Sequence, residues 1–112
     1  MVPFKGGAGG TPLRLTANDP SACQTGLASP GLTNDWPKWS PSVSNANGKI
    51  YYWLTFSSKR TGANNAQLYI TAITIDEVGT TVTYPALYLW NQPATDSNHT
   101  PSWDEFAPSV IP

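Results

Sequence analysis

The sequence has little of the chemistry on which most enzymes and nucleic-acid-binding proteins depend. Its 112 residues include one cysteine, Cys23, and one histidine, His99, and only 12% of them are charged. One cysteine excludes an internal disulfide and a site built from several thiolates. A net charge of -1 provides no basic surface for nucleic acid or anionic lipid. No apolar run approaches the ~20 residues that span a bilayer, so we expect neither nucleic acid nor a membrane as partner.

The few titratable residues form no recognisable catalytic or metal-binding motif. Ser102 and Asp104 follow His99 closely, but a Ser–His–Asp triad needs members that separate elements hold in a fixed geometry. The carboxylates lack the Asp-x-Asp-x-Asp-Gly spacing of a calcium loop. If copies of the chain surround a channel, Asp35 and Asp104 are the carboxylates expected to line it. We therefore predict a protein that is not an enzyme and that has no catalytic residue, metal or cofactor.

What the sequence does contain is a series of strand patterns separated by turn residues. The strongest is Lys49–Ser58, where apolar residues occupy both faces, as in a central strand between packed layers. Before it, Trp36–Pro41 predicts a short strand, and Asn45–Gly48 supplies a turn, since Asn-Gly tolerates the positive φ angles of a type I′ hairpin. Gln67–Asp76, rich in β-branched residues, predicts the next strand. Ala17–Asp35 has no periodicity and predicts a long surface loop.

A further predicted strand, Thr80–Trp90, contains a proline that limits its place in the sheet. Pro85 lacks the N–H that a ladder needs, so this strand must lie at an edge or contain a bulge, and we place it outermost. Thr11–Thr16, with Leu13 and Leu15 on one face, predicts another short strand. No segment has a helical period. Strict alternation in the outermost strand would put these side chains on one face: Val82, Tyr84, Ala86, Tyr88 and Trp90.

The order of several motifs is typical of a repeat. They are Pro37-x-Trp39-Ser40-Pro41, then Gly48-Lys49-x-x-Tyr52 with a closing Ser57-Ser58-Lys59-Arg60, then Gln67-Leu68-Tyr69. About sixty residues after the first motif, Thr100-Pro101-Ser102-Trp103 repeats its proline-then-tryptophan pattern. Together these segments resemble the blade repeat of TolB-like (PD40, WD40-like) β-propellers. The hairpin at 42–48 is longer than the Asp-Gly turn usual in that family.

The resemblance implies an all-β fold, a four-stranded antiparallel propeller blade of about 40 residues with extra strands at both ends. It places the outer strand of a preceding blade at 9–16, a complete blade at 36–90 and the inner strand of a following blade at 100–104, in a single module spanning 1–112. One blade leaves both faces of its sheet without a neighbour. The chain is then a fragment of a larger propeller, one of several copies that assemble, or a small sandwich closed by its own loops.

The resemblance also implies a function and a location. TolB-like propellers typically bind protein partners, so we expect a scaffold for protein–protein interaction or for assembly with itself, in a bacterial periplasm or outside the cell. Assembly of copies would be head-to-tail and would close by rotation. The alternatives are a carbohydrate-binding, lectin-like module and a propeller that accompanies a hydrolase. The residues expected to pack between blades are Trp39, Tyr52, Trp53, Trp90 and Trp103.

Overall fold

The computed structural model describes residues 1, 4–5, 8–19, 34–60 and 64–104. In these residues the regular structure is β-strand apart from one 3-10 turn at Thr16–Asn18, which confirms the predicted all-β class. Cys23 and the middle of the predicted loop 17–35 lie outside the described residues. The strands are β1 (Phe4–Lys5), β2 (Ala8–Gly9), β3 (Asn34–Ala46), β4 (Lys49–Ser58), β5 (Gln67–Asp76), β6 (Thr81–Thr83) and β7 (Leu87–Tyr88).

Strands β3 to β7 form one open antiparallel sheet. β4 and β5 pair along their full length, from Lys49 opposite Asp76 to Ser58 opposite Gln67. β3 pairs with β4, and on the far side of β5 the two short strands β6 and β7 follow one another. β1 and β2 pair separately. The sheet therefore has one edge at β3 and the other at β6 and β7.

The pairing of β4 with β5 defines two faces, because successive side chains in a strand point to opposite sides. It confirms the alternation predicted for β4. The front face carries Tyr52, Leu54, Phe56, Tyr69 and Ile73, and the back face carries Tyr51, Trp53, Ile70 and Ala72.

The turn between β3 and β4 is the one that the Asn-Gly sequence predicts. Asn47 and Gly48 have φ angles of 52° and 71°, as a type I′ turn requires. β3 nevertheless differs from the expected short strand, because it continues past Pro41 to Ala46. The tight turn fixes the register of the residues next to it, so 43–46 pair with β4 instead of forming a loop.

β3 is irregular at its prolines. The pairing register with β4 shifts once across Pro37 and once across Pro41, and Trp36 in the first shift has a φ of 54°. Proline has no N–H to donate, so a regular ladder cannot continue through it. The hydroxyls of Thr55 and Ser57 donate to β3 carbonyls beside the first shift. Bulges of this kind are typical of edge strands.

Pro85 divides the predicted outermost strand into β6 and β7. Four steps along β5, from Ile73 to Tyr69, match five steps from Thr83 to Tyr88 on the edge. The extra residue reverses the alternation, because a shift of one moves each following side chain to the other face. The prediction that Val82, Tyr84, Ala86, Tyr88 and Trp90 share one face is therefore wrong, since Val82 pairs on the back face and Tyr88 on the front. The predicted outermost position is confirmed.

The core lies on the front face, at the end of the sheet far from the Asn47–Gly48 turn. The rings of Phe56 and Tyr69 stack with centroids 6.0 Å apart, and Tyr88 meets Tyr69 edge-on at 5.5 Å. Leu15 and Ala17 pack against this cluster. The strand predicted at 11–16 is thus wrong, because this segment covers a sheet face instead of pairing with a strand.

Arg60 holds the covering segment against the sheet. Its side chain is buried, and its Nη1 donates to the Ala17 carbonyl at 2.8 Å, its Nη2 to Asn34 Oδ1 at 3.2 Å and its Nε to Ser58 Oγ at 3.2 Å. The guanidinium carbon lies 4.5 Å and 5.0 Å from the centroids of two core rings, which are those of Tyr69 and Phe56. Burial lowers the pKa of Arg60. One side chain thereby joins the 3-10 turn, β3 and β4.

Gln92 completes the edge of β5 beyond β7. Its Oε1 accepts from the Leu68 N–H at 2.7 Å, and its Nε2 donates to the Leu68 carbonyl at 3.0 Å and to the carbonyl of Leu89. Asn98 Nδ2 donates to Gln92 Oε1 at 3.2 Å. The amide thus bonds both backbone groups of Leu68, as a paired strand residue would.

Residues 98–103 connect the start of β5 with the edge strand β3. The Asn98 N–H donates to the Ala66 carbonyl at 2.8 Å, and Trp103 Nε1 donates to the Lys38 carbonyl at 3.1 Å. Pro101, between these anchors, is buried. The strand expected at 100–104 is wrong, because the structure has no ladder pairing there.

Candidate protein-interaction surface

One apolar area lies on the front face, next to the Asn47–Gly48 turn and away from the core. Trp39 and Val43 are 48% and 47% exposed on β3, and Ile50 is exposed on β4 beside the half-buried Tyr52. Val43 lies directly opposite Tyr52, and Trp39 opposite the buried Leu54. We call Trp39, Val43, Ile50 and Tyr52 the front patch.

A second apolar area is a groove on the back face, with a volume of about 460 Å³. Along one side, the rings of Tyr51 and Trp53 lie 6.0 Å apart and within 21° of parallel, and Trp53 Nε1 donates to Ser44 Oγ at 3.3 Å. Exposed Tyr84 and Leu87 lie along the other side. We call it the back groove; its lining residues are Tyr51, Trp53, Ile70, Thr71, Ala72, Tyr84, Pro85 and Leu87.

The back groove is uncharged but not free of hydrogen-bonding groups. None of its lining residues carries a formal charge. Within the described part of the chain, the phenol oxygens of Tyr51 and Tyr84 have no hydrogen-bond partner. Thr71 pairs opposite Leu54, so its side chain lies on the front face, where its hydroxyl donates to the Tyr84 carbonyl at 2.6 Å. The groove therefore suits an apolar or aromatic group that brings a neutral donor.

Neither edge of the sheet favours the addition of another strand. Pro37 and Pro41 interrupt the ladder at the β3 edge, and Pro85 interrupts the opposite edge. Prolines and bulges at edges oppose pairing with a further chain. The exposed apolar side chains are on the faces, so contact with another protein through this sheet is expected face to face.

The structure distributes the five predicted packing residues over three regions. Trp39 and Tyr52 lie in the front patch, and Trp53 lies in the back groove. Trp90 is 84% exposed beyond the end of β7, and Trp103 is half-buried against β3. Only the first two therefore lie on one face together.

Of the residues that line the back groove, only Trp53 is among the five predicted packing residues. Tyr51 could have been chosen, because it alternates with Tyr52 and adjoins Trp53 on the predicted back face. Tyr84 and Leu87 could not, because the extra residue around Pro85 changes which side chains face the groove.

The predicted polar loop does not assemble the Ser–His–Asp set. His99 is exposed, and its Nε2 lies 2.5 Å from the hydroxyl of Ser97, not that of Ser102. In the described ranges, no three His, Cys, Asp or Glu side chains are grouped as metal ligands, and no helix has the length and hydropathy to cross a membrane. Asp35 and Asp104 are both exposed.

The sequence matches no protein-family model, and neither the curated proteins nor the solved structures compared with it gave a match. The resemblance to TolB-like propellers therefore depends on the sequence motifs alone.

Proposed function

We propose that the chain is a non-enzymatic, blade-like scaffold that assembles with copies of itself by face-to-face packing of sheets. The observation that carries the proposal is the presence of exposed apolar side chains on both faces of one sheet whose edges are interrupted by proline. Sheets that pack face to face bury such side chains at a separation of about 10 Å. The same packing would serve a larger propeller in which the next blade belongs to the same polypeptide.

The size of the sheet sets the area that such an interface can bury. β4 and β5 have ten residues each, which is about 33 Å at ~3.3 Å per residue, and four strand rows are about 19 Å wide. One face therefore has a flat area of roughly 600 Å², before side chains roughen it. Standard stable interfaces bury about 800 Å² on each partner. The segment with Leu15 and Ala17 covers one end of the front face, so the free area there is smaller still. A contact with a second copy through one face is therefore at the small, weak end of the range, and closure of a ring would add to its stability.

The difference between the two faces favours a head-to-tail arrangement. The front patch carries a projecting tryptophan, Trp39, whereas the back face has a groove. Neither area contains a charged side chain, so two copies would not repel each other at the contact. When unlike surfaces meet, the contact repeats from copy to copy and forms a ring if the rotation closes.

Two matched substitutions test the proposal. Val43 in the front patch and Leu87 in the back groove are both 47% exposed, so replacing either with glutamate leaves the core intact and puts a charge into the contact. We expect Val43→Glu and Leu87→Glu each to be monomeric by light scattering coupled to size exclusion. Their mixture should form a 1:1 pair, because each variant keeps the surface that the other lacks.

A matched control separates the contact from a general effect of added charge. Val78 is 87% exposed in the turn between β5 and β6, outside both areas, so Val78→Glu should keep the mass of the wild-type assembly. Circular dichroism checks that all variants are folded. A wild-type chain that stays monomeric at every concentration would contradict the proposal, as would two variants that do not pair.

Carbohydrate binding is a second candidate, favoured by the near-parallel rings of Tyr51 and Trp53 in an uncharged groove. Aromatic faces of this kind can stack on a sugar ring. A saturable change in tryptophan fluorescence on addition of neutral oligosaccharides, absent in Trp53→Ala, would support this function. No change across a panel of neutral glycans would exclude it.

A further inference from the structure

We infer that the indole of Trp39 in one copy enters the back groove of the next copy, an inference that rests on the proposed head-to-tail assembly. Trp39 is the largest exposed side chain of the front patch. It pairs opposite Leu54, so its backbone is fixed next to the core although its ring is half in solvent. Tryptophans in such positions often contribute most of the binding energy of an interface.

The back groove has the size and the walls that an indole needs. Its volume of about 460 Å³ lies within the roughly 300–1,000 Å³ of typical ligand pockets. Aromatic rings lie along both sides, from Tyr51 and Trp53 on β4 and from Tyr84 beyond β6. An inserted indole can therefore make stacked or edge-to-face contacts, in addition to the ~150–250 Å² that a buried aromatic side chain removes from water.

A free indole N–H together with a position in the front patch distinguishes Trp39 from the other tryptophans. Two indole N–H groups already donate, that of Trp53 to Ser44 and that of Trp103 to Lys38. The Nε1 of Trp39 has no partner among the described residues, and the phenol oxygens of Tyr51 and Tyr84 in the groove have none either. Trp36 and Trp90 lie outside the front patch. The free donor of Trp39 thus matches free acceptors in the groove.

The test uses the 1:1 pair of Val43→Glu, which keeps the back groove, with Leu87→Glu, which keeps the front patch. Trp39→Ser in the Leu87→Glu copy should weaken the pair at least tenfold, as expected for a central tryptophan. Trp36→Ser in the same copy is the matched control, because Trp36 is 55% exposed on the same strand, and it should leave the affinity unchanged. Calorimetry or sedimentation measures the dissociation constant.

A double-mutant cycle places the indole in the groove. Tyr84→Ala in the Val43→Glu copy should also weaken the pair. When Tyr84→Ala and Trp39→Ser are combined, the increase in dissociation constant should be smaller than the product of the two single increases by about fivefold or more, because both substitutions remove the same contact. Additive effects, or an unchanged affinity with Trp39→Ser, would overturn the inference while the pair itself upholds the assembly. Failure of the parent pair to form would overturn both.

Discussion

Removal of the Arg60 side chain is expected to cost the fold a large part of its stability. Arg60 is 6% exposed and donates to Ala17, Asn34 and Ser58, which belong to three different parts of the chain. Arg60→Ala would leave these acceptors without their donor. It would also remove the cation from above the two core rings.

The magnitude follows from the number of contacts and from the cost of burying a charge. A hydrogen bond to a charged group contributes about 1.5–3 kcal/mol, and a cation over an aromatic face adds about 0.5–2 kcal/mol. The cost of removing the guanidinium from water offsets part of this stabilisation. In the described structure no carboxylate contacts the buried charge to compensate that cost. We therefore expect Arg60→Ala to lower the free energy of unfolding by about 3–5 kcal/mol. A domain of this size has about 5–15 kcal/mol in total.

Urea unfolding followed by tryptophan fluorescence measures this loss. Arg60→Lys should be clearly destabilised as well, because an ammonium group is a point charge and cannot reach three separated acceptors as the planar guanidinium does. Arg14→Ala is the control. Arg14 pairs with Asp19 on the surface, and exposed pairs contribute little, so its midpoint should not change. A loss below about 1 kcal/mol for Arg60→Ala would refute the structural role given to Arg60.

Three other predictions concern single residues outside both proposed contact areas. Gly48→Ala should lower the free energy of unfolding by about 1 kcal/mol, because a φ of 71° is unfavourable for residues other than glycine. The new Cβ itself causes no clash, since the nearest atom is Glu77 Oε1 at 3.7 Å. Urea unfolding that matches wild type would contradict this. Gln92→Ala should lower the free energy of unfolding by about 1–2 kcal/mol in the same assay, since the Leu68 N–H loses its acceptor, whereas the Leu68 carbonyl keeps the Leu89 N–H at 3.1 Å. A loss below about 0.5 kcal/mol would contradict the edge role of Gln92. The pKa of the Asp76 carboxyl is below its usual value, and the largest cause is the hydrogen bond that the Thr80 N–H donates to it. The charged carboxylate therefore stabilises the fold above about pH 4, and this stabilisation is lost as the pH falls through the folded pKa. Asp76→Asn should therefore show a smaller drop in melting temperature between pH 7 and pH 2, and a drop equal to that of wild type would contradict the role of the charge.

Local patterns predicted the centre of the sheet. Alternation in 49–58, β-branched residues in 67–76 and the Asn47–Gly48 turn are properties of neighbouring residues, and the structure has each of them as expected. Pro85 correctly indicated an edge. Which side chains after Pro85 face the front and which face the back could not be predicted. The extra residue there is set by the pairing of β6 and β7 with β5, which is not a property of neighbouring residues.

Contacts between distant parts of the chain account for what the sequence did not reveal. The segments 11–16 and 100–104, which were expected to be strands, lie against the sheet without pairing in a ladder. Their apolar residues suit a short strand, but such residues can be buried on the face of a sheet equally well. Arg60 followed a predicted strand in a polar turn, and nothing local marked it for burial. The back groove likewise needed the register of β6 and β7, so the candidate site was only half predictable.

The tight turn between β3 and β4 has a consequence for the order of folding. The residues around Asn47–Gly48 meet partners a few positions away, whereas the covering contacts join Thr16 to Thr83 and Lys38 to Trp103, 67 and 65 positions apart. Short loops close at lower entropic cost than long ones. We therefore expect the hairpin that bears Trp39 and Trp53 to form early, before the chain ends arrive. The apolar side chains of this hairpin are therefore expected to be exposed until the covering contacts form.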